Sequence, residues 1–137
     1  MEGALLISIR LMHKNSSVEA ISRGMREQPT GSHEAGKPRF TPKGKRLNGF
    51  YTETHWFYRL EGRDDSNVDL AVEAANLWLE ERGDFVKEFV CSGGTVDYYI
   101  TLGAGRFCAF ELPLNLINKC AELGVSLGVE VFLEEEA

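Results

Sequence analysis

The sequence predicts an α+β domain: a mostly antiparallel sheet with helices packed on one face, in the order β-α-β-α-β-β-α-β and with ferredoxin-like character. Three observations predict it. Apolar residues alternate at period two in three separate stretches, they recur at helical spacing in three others, and the connections between strands suit antiparallel neighbours. The length of 137 residues, with 43% apolar and 26% charged side chains, is that of one ordinary globular domain. That domain spans 1–137 and includes a long basic loop, 26–49, and an acidic tail, 134–137.

Residues 4–12 (ALLISIRLM) place Leu5, Ile7, Ile9 and Leu11 on one face and Ser8 and Arg10 on the other, which reads as a strand. Ser16 followed by Glu19 has the spacing of a capping box, and Val18, Ile21 and Met25 then fall at helical intervals, so a short helix is expected from Ser17 to Met25. From Arg26 to Gly49 the periodicity dissolves among Pro29, Pro38, Pro42 and several glycines, the pattern of a long loop. Residues 50–61 (FYTETHWFYRLE) are rich in aromatic and β-branched side chains and read as a second strand.

After a turn over Gly62–Asn67, with Ser66 or Asn67 as cap, Val68, Ala71, Val72, Ala75, Trp78 and Leu79 form the clearest helical stripe, running to about Arg82 with Gly83 as its C-cap. Phe85, Phe89 and Val90 extend the apolar pattern as a further turn or short helix. Val96, Tyr98, Ile100 and Leu102 alternate with polar residues, and Gly103-Ala104-Gly105 before Phe107–Phe110 suggests a β-hairpin. Pro113 suits a helix first turn, Leu114, Ile117 and Ala121 share one stripe, Gly124 is a stop, and Val125 to Leu133 alternate as a last strand.

Several function classes lose support at once. No apolar run approaches the ~20 residues of a membrane-spanning helix, and Met1-Glu2-Gly3-Ala4 lacks the basic start of a secretory signal, so a cytoplasmic protein with no membrane contact is expected. Cys91, Cys108 and Cys120 are odd in number and widely spaced, which fits neither a disulfide framework nor a zinc site; reduced, mostly buried thiols are expected. Gly36-Lys37 and Gly44-Lys45 invite a phosphate-loop reading, but Arg39 occupies the first glycine position, Arg46 follows Lys45, and no helix begins there. Ser92–Thr95 and Gly103–Gly105 read as turns. His13, His33 and His55 have no ligand-spaced partners, and none of the thiols has a visible activating base, so neither metal nor cofactor nor a catalytic residue is expected. Asp64-Asp65 reads as turn chemistry.

Charge is the informative exception. Fifteen basic and 21 acidic residues give a net charge of −6. Lys37, Arg39, Lys43, Lys45 and Arg46 lie between Gly36 and Arg46 with no acid, which leaves 10 basic and 21 acidic residues, net −11, for the remainder. Three readings of this basic loop stand side by side: a solvated loop, a docking element for an acidic protein partner, and an anion or nucleic-acid contact, the last made unlikely by the acidic remainder and by the lack of aromatics among the cations other than Phe40. The candidate binding residues are therefore Lys37, Arg39, Phe40, Lys43, Lys45 and Arg46, with His55 and Trp56 on the neighbouring strand.

Met25–Thr30, Gly36-Lys37, Lys43-Gly44 and the Trp56-bearing strand, followed by Leu123-Gly124 before the last strand, resemble an uncharacterised family of small bacterial domains of unknown function over roughly residues 4–133. The resemblance implies no catalytic residues; some members near toxin loci imply an immunity-like or partner-binding role. The expected protein is thus a non-catalytic binding protein whose working surface is the loop and the strand face around His55 to Tyr58. A homodimer is expected through an open sheet face carrying Trp56, Tyr58, Tyr98 or Tyr99. A small-molecule enzyme using His55 in a sheet-face pocket is the alternative.

Overall fold

The computed structural model describes residues 5–60, 67–104 and 109–133. Among these residues the fold is α+β, with four helices, a five-stranded, mostly antiparallel sheet and a small separate hairpin. In chain order the elements are β1 (Leu5–His13), α1 (Val18–Met25), β2 (Gly31–His33), β3 (Pro38–Phe40), β4 (Arg46–Phe50), β5 (Thr54–Arg59), α2 (Val68–Glu80), α3 (Gly83–Cys91), β6 (Thr95–Ala104), α4 (Leu114–Leu123) and β7 (Val125–Leu133). The sheet order is β2-β5-β1-β6-β7; β1 runs antiparallel to both β5 and β6, β2 antiparallel to β5, and β7 parallel to β6 through the α4 crossover.

Alternation along β1 decides which face is covered. Ile7, Ile9 and Leu11 are buried against the helices, in one continuous core with Ile21 and Met25 of α1, Val72, Ala75 and Leu79 of α2, Val86 and Phe89 of α3, and Leu116 and Cys120 of α4. Leu6, Ser8, Arg10 and Met12 point to the opposite, uncovered face. There Arg10 makes a two-pronged bond to its cross-strand neighbour Asp97, Nε to Oδ1 at 2.8 Å and Nη2 to Oδ2 at 2.7 Å, while its guanidinium sits 4.4 Å from the centre of the Tyr99 ring.

Polar groups in the core are paired across elements. Trp56 is wholly buried and donates its indole N–H to Ser22 Oγ at 3.0 Å, tying β5 to α1. Tyr98 donates to Asn76 Oδ1 at 2.7 Å, and burial pushes its phenol well above the usual value. Arg82 lies 3.7 Å over Trp78, which stacks on Tyr58, and donates to the carbonyl oxygens of Met25 and Trp78, closing the carboxyl ends of α1 and α2 together.

The structure revises the element order in several places. The stretch 26–49 is not a structureless loop but contains β2, β3 and all but the last residue of β4, and the strand expected over 50–61 is shorter, since Phe50 ends β4 and β5 runs from Thr54 to Arg59. Ser17 rather than Ser16 caps α1, accepting from Ala20 N at 3.1 Å; Glu19 pairs instead with Arg23. Gly83 opens α3 rather than closing α2, since the chain turns through Glu81 and Arg82 directly into a second helix. No hairpin partner can be added to β6 over most of its length, because both its edges are already occupied, by β1 and by β7; Phe107 and Cys108 lie outside the described residues, as do Asp64-Asp65 and the acidic tail. On α4 the buried stripe is Leu116 and Cys120, with Leu123 packed behind them, while Leu114 and Ile117 face outward. Cys91 is exposed and Cys120 buried.

Gly24 tests the packing directly. A Cβ there would overlap the Phe85 ring of α3. Replacing Gly24 with Ala is expected to destabilise the fold by about 1–3 kcal/mol, read as a lowered urea midpoint with an unchanged slope.

Candidate functional site

The five cations of the basic stretch sit on a two-stranded ribbon. Gly36 N donates to Tyr51 O at 2.8 Å and Tyr51 N to Lys37 O at 3.0 Å, closing the neck, and β3 pairs antiparallel with β4, Pro38 opposite Phe50 and Phe40 opposite Arg46. Thr41-Pro42-Lys43-Gly44 is a β-turn with Pro at its second position, closed by Gly44 N to Thr41 O at 2.8 Å. Gly44 takes a left-handed backbone, φ 87°, which lets Lys45 fold back, its carbonyl oxygen accepting from Thr41 N at 2.8 Å and its amide donating to Thr41 Oγ1 at 3.0 Å. Gly49 does the same at φ 85°, where the ladder shifts register.

The ribbon presents cations and aromatics to solvent together. Phe40 is 51% and Phe50 58% exposed, and the Arg46 guanidinium lies 5.9 and 5.2 Å from their ring centres, bridging them. Arg39 and Arg46 bond carbonyl oxygens of the ribbon itself, Asn48 at 3.3 Å and Gly49 at 3.0 Å. Among the described residues the one carboxylate near any of the five cations is Glu34, 3.9 Å from Lys37. Among the described residues Arg39, Lys43, Lys45 and Arg46 make no ion pair.

At the neck the ribbon joins the main sheet. His33 of β2 lies opposite His55 of β5, and their rings stack at 4.6 Å; Tyr51 stacks on the far side of His33 at 3.7 Å. His55 Nε2 lies 3.1 Å from Glu53 Oε1. The His33 Nδ1 is buried without a hydrogen-bond partner. Burial, and then the adjacent His55, hold the His33 imidazole below its usual pKa, with the Glu53 carbonyl and carboxylate partly offsetting them and Arg39 adding to the depression. Beneath the stack, Thr54 is fully buried: its hydroxyl accepts from Ala35 N at 3.0 Å and donates to Ser16 O at 2.6 Å. Glu34 Oε1 accepts from Val18 N at 2.8 Å, at the amino end of α1, where a carboxylate is favoured. His13 Nδ1 accepts from Asn15 N and Ser16 N, which makes Nε2 the protonated nitrogen facing Ser92 Oγ.

Lys37, Arg39, Phe40, Lys43, Lys45 and Arg46 are therefore gathered on one projecting element, and the stacked rings join its root to His55. Trp56 is not part of this surface, because β5 alternates and turns Trp56 inward with Thr54 while His55 and Phe57 face out. Tyr58 and Tyr98 also lie on the helix-covered side; of the four aromatics expected to form an open-face dimer, Tyr99 alone stands on the uncovered face. Phe50, Tyr51 and His33 were missed as site residues. A signal existed, since no acid occurs from Ala35 to Thr52, a stretch that includes Phe50 and Tyr51.

The described clefts lie elsewhere, one along α1, one between α2 and α4 of about 330 Å³, and one where α1 meets α3. No helix among the described residues is long and apolar enough to cross a membrane, and no group of three or more potential metal ligands occurs among them. Comparison with protein-family models, curated proteins and solved structures finds no match.

The neck stack has a pH signature. Because the folded state lowers the His33 pKa, folding favours neutral His33; the stabilisation is complete above the unfolded value of about 6.5 and is lost as pH falls from there toward the lowered value. Amide exchange at Gly36 and Tyr51 should accelerate as pH is lowered through that window, after correction for intrinsic rates. His33→Phe, which keeps a stacking ring but cannot titrate, should abolish the acceleration.

Proposed function

We propose that this chain is a non-catalytic binding protein that docks through its β3–β4 ribbon onto an acidic surface of a partner protein. The observation that carries this reading is the pairing of solvent-facing Phe40 and Phe50 with Arg46, beside four further cations of which Lys37 alone meets a carboxylate among the described residues. Arginine and aromatic side chains dominate the energetics of protein interfaces, and uncompensated cations raise the association rate with an acidic partner. A long polyanion would have to pass a body of net charge −11, so a compact acidic patch suits the ribbon better than nucleic acid.

The resemblance to small bacterial domains of unknown function, some of them near toxin loci, agrees with an immunity-like role. An exposed, unpaired Cys91 suits a reducing compartment such as the cytoplasm. The ferredoxin-like character enters as one feature: β5 and β6, both antiparallel to β1, are parallel strands straddling it, joined across α2 and α3 as a split β-α-β unit. The enzyme reading retains one favourable contact, His55 with Glu53, although that pair sits in the ring stack at the neck of the ribbon.

Affinity capture from the source cells at low salt, followed by mass spectrometry and nucleic-acid staining, tests this reading. The wild-type chain should retain an acidic protein that is released by raised salt and lost with the combined Lys37→Ala, Arg39→Ala, Lys43→Ala and Lys45→Ala variant. Retention of the same protein by that variant contradicts docking through the ribbon, and recovery of nucleic acid in its place transfers the ribbon to the other class of partner.

A further inference from the structure

The two edges of the main sheet are built differently. β2 is three residues long, a short edge that offers little to an incoming strand, whereas β7 forms the other edge with nine residues, Val125–Leu133. Exposed edges are ordinarily protected by brevity, proline, lysine or a bulge. β7 has none of these: its sequence VSLGVEVFL contains no proline or lysine, and it follows β6 in unbroken register from Val125 to Leu133.

The single charge on β7 is turned away from the open edge. Glu130 Oε1 accepts the Tyr99 hydroxyl at 2.5 Å, on the β6 side. The helix layer also stops short of the strand's far half. Val125 is buried beneath α4, but Val129 and Val131 are each 41% exposed, although Ile100 and Leu102, beside them on β6, are buried. Apolar side chains thus overhang an unpaired row of backbone donors and acceptors, and among the described residues nothing pairs with that row.

We propose that β7 pairs antiparallel with β7 of a second copy of this chain, joining the two sheets edge to edge around a two-fold axis at Val129. The strand is self-complementary in this register. A two-fold perpendicular to the sheet keeps the helices of both copies on the same face and sets Val129 opposite its own copy, Leu127 opposite Val131 on the helix-covered side, and Gly128 opposite Glu130 on the open side. Centring on Val129 pairs all nine residues of the strand, and no charge faces a like charge. The neighbouring permitted registers are worse: an axis at Glu130 sets two carboxylates directly opposite, and an axis at Gly128 leaves Phe132 and Leu133 beyond the partner strand. The contact uses the edge and not the open face, and it leaves the β3–β4 ribbons free, since the ribbon leaves the sheet beside β2 at the opposite edge.

Sedimentation of the intact chain over a wide concentration range tests the proposal. The expected species has twice the 15.3 kDa mass of one chain. Val129→Lys and Val131→Lys place a charge on an already half-exposed side chain and should give monomers with unchanged circular dichroism. In a Cys91→Ser background, Val129→Cys should cross-link to its own copy under mild oxidation, whereas Ser126→Cys, which faces Phe132, should not. A monomer throughout the concentration range, a dimer that survives both lysine substitutions, or equal cross-linking at 126 and 129 would each overturn it.

Discussion

The buried hydroxyl of Thr54 holds three parts of the chain in one place. It accepts from Ala35 at the root of the ribbon, donates to Ser16 where the chain enters α1, and belongs to β5 of the main sheet. Hydroxyls deep in a protein are costly unless they are bonded, so the segments that satisfy this one must arrive together. Glu34 reinforces the junction by accepting from the first amide of α1, and the Tyr51–His33–His55 stack links the neck of the ribbon to β2 and β5. A ribbon of two short strands is marginal alone in water. Here its neck is fixed by buried bonds, so the direction in which it projects is set by the body.

That anchoring gives the charge distribution its meaning. Five cations on an unanchored loop would be averaged over many orientations and screened within about 10 Å at ordinary salt. On a fixed ribbon they make a localised positive surface on an acidic body, with Phe40 and Phe50 supplying apolar area at the same place. Long-range attraction and short-range desolvation are thereby combined in one element, the requirement for fast and selective association. If β7 joins two copies, the ribbons sit on the far edges of the combined sheet, and a pair of well-separated acidic sites on a partner would be engaged with an avidity that a single ribbon lacks.

Much of the main sheet was readable as periodicity. β1, β6 and β7 alternate cleanly because each has one face against the helices, and α2 announces itself for the same reason. The ribbon left no such trace. β3 and β4 are exposed on both sides, so burial imposed no pattern, and they are held by turn chemistry and backbone bonds instead. Thr41-Pro42-Lys43-Gly44 was a legible turn within that stretch. Trp56 was placed on one surface with its neighbour His55, although successive residues of a strand face opposite sides and β5 turns Trp56 inward, and the outward stripe of α4 was taken for its inward one because Leu114 and Ile117 are as apolar as Leu116. Nothing local in the sequence pairs His33 with His55 and Tyr51; only strand pairing between β2 and β5 brings them together.

Docking through the ribbon requires the ribbon to be a fixed structure in the free protein. Amide hydrogen exchange of the isolated chain measures this directly. Gly36, Thr41, Gly44, Lys45 and Tyr51, whose amides donate within the ribbon, should be protected, and Thr54→Val should strip that protection at the neck while leaving Ile7, Ile9 and Leu11 slow. Exchange at those five amides as fast as in an unstructured peptide, in the wild-type chain, would contradict it.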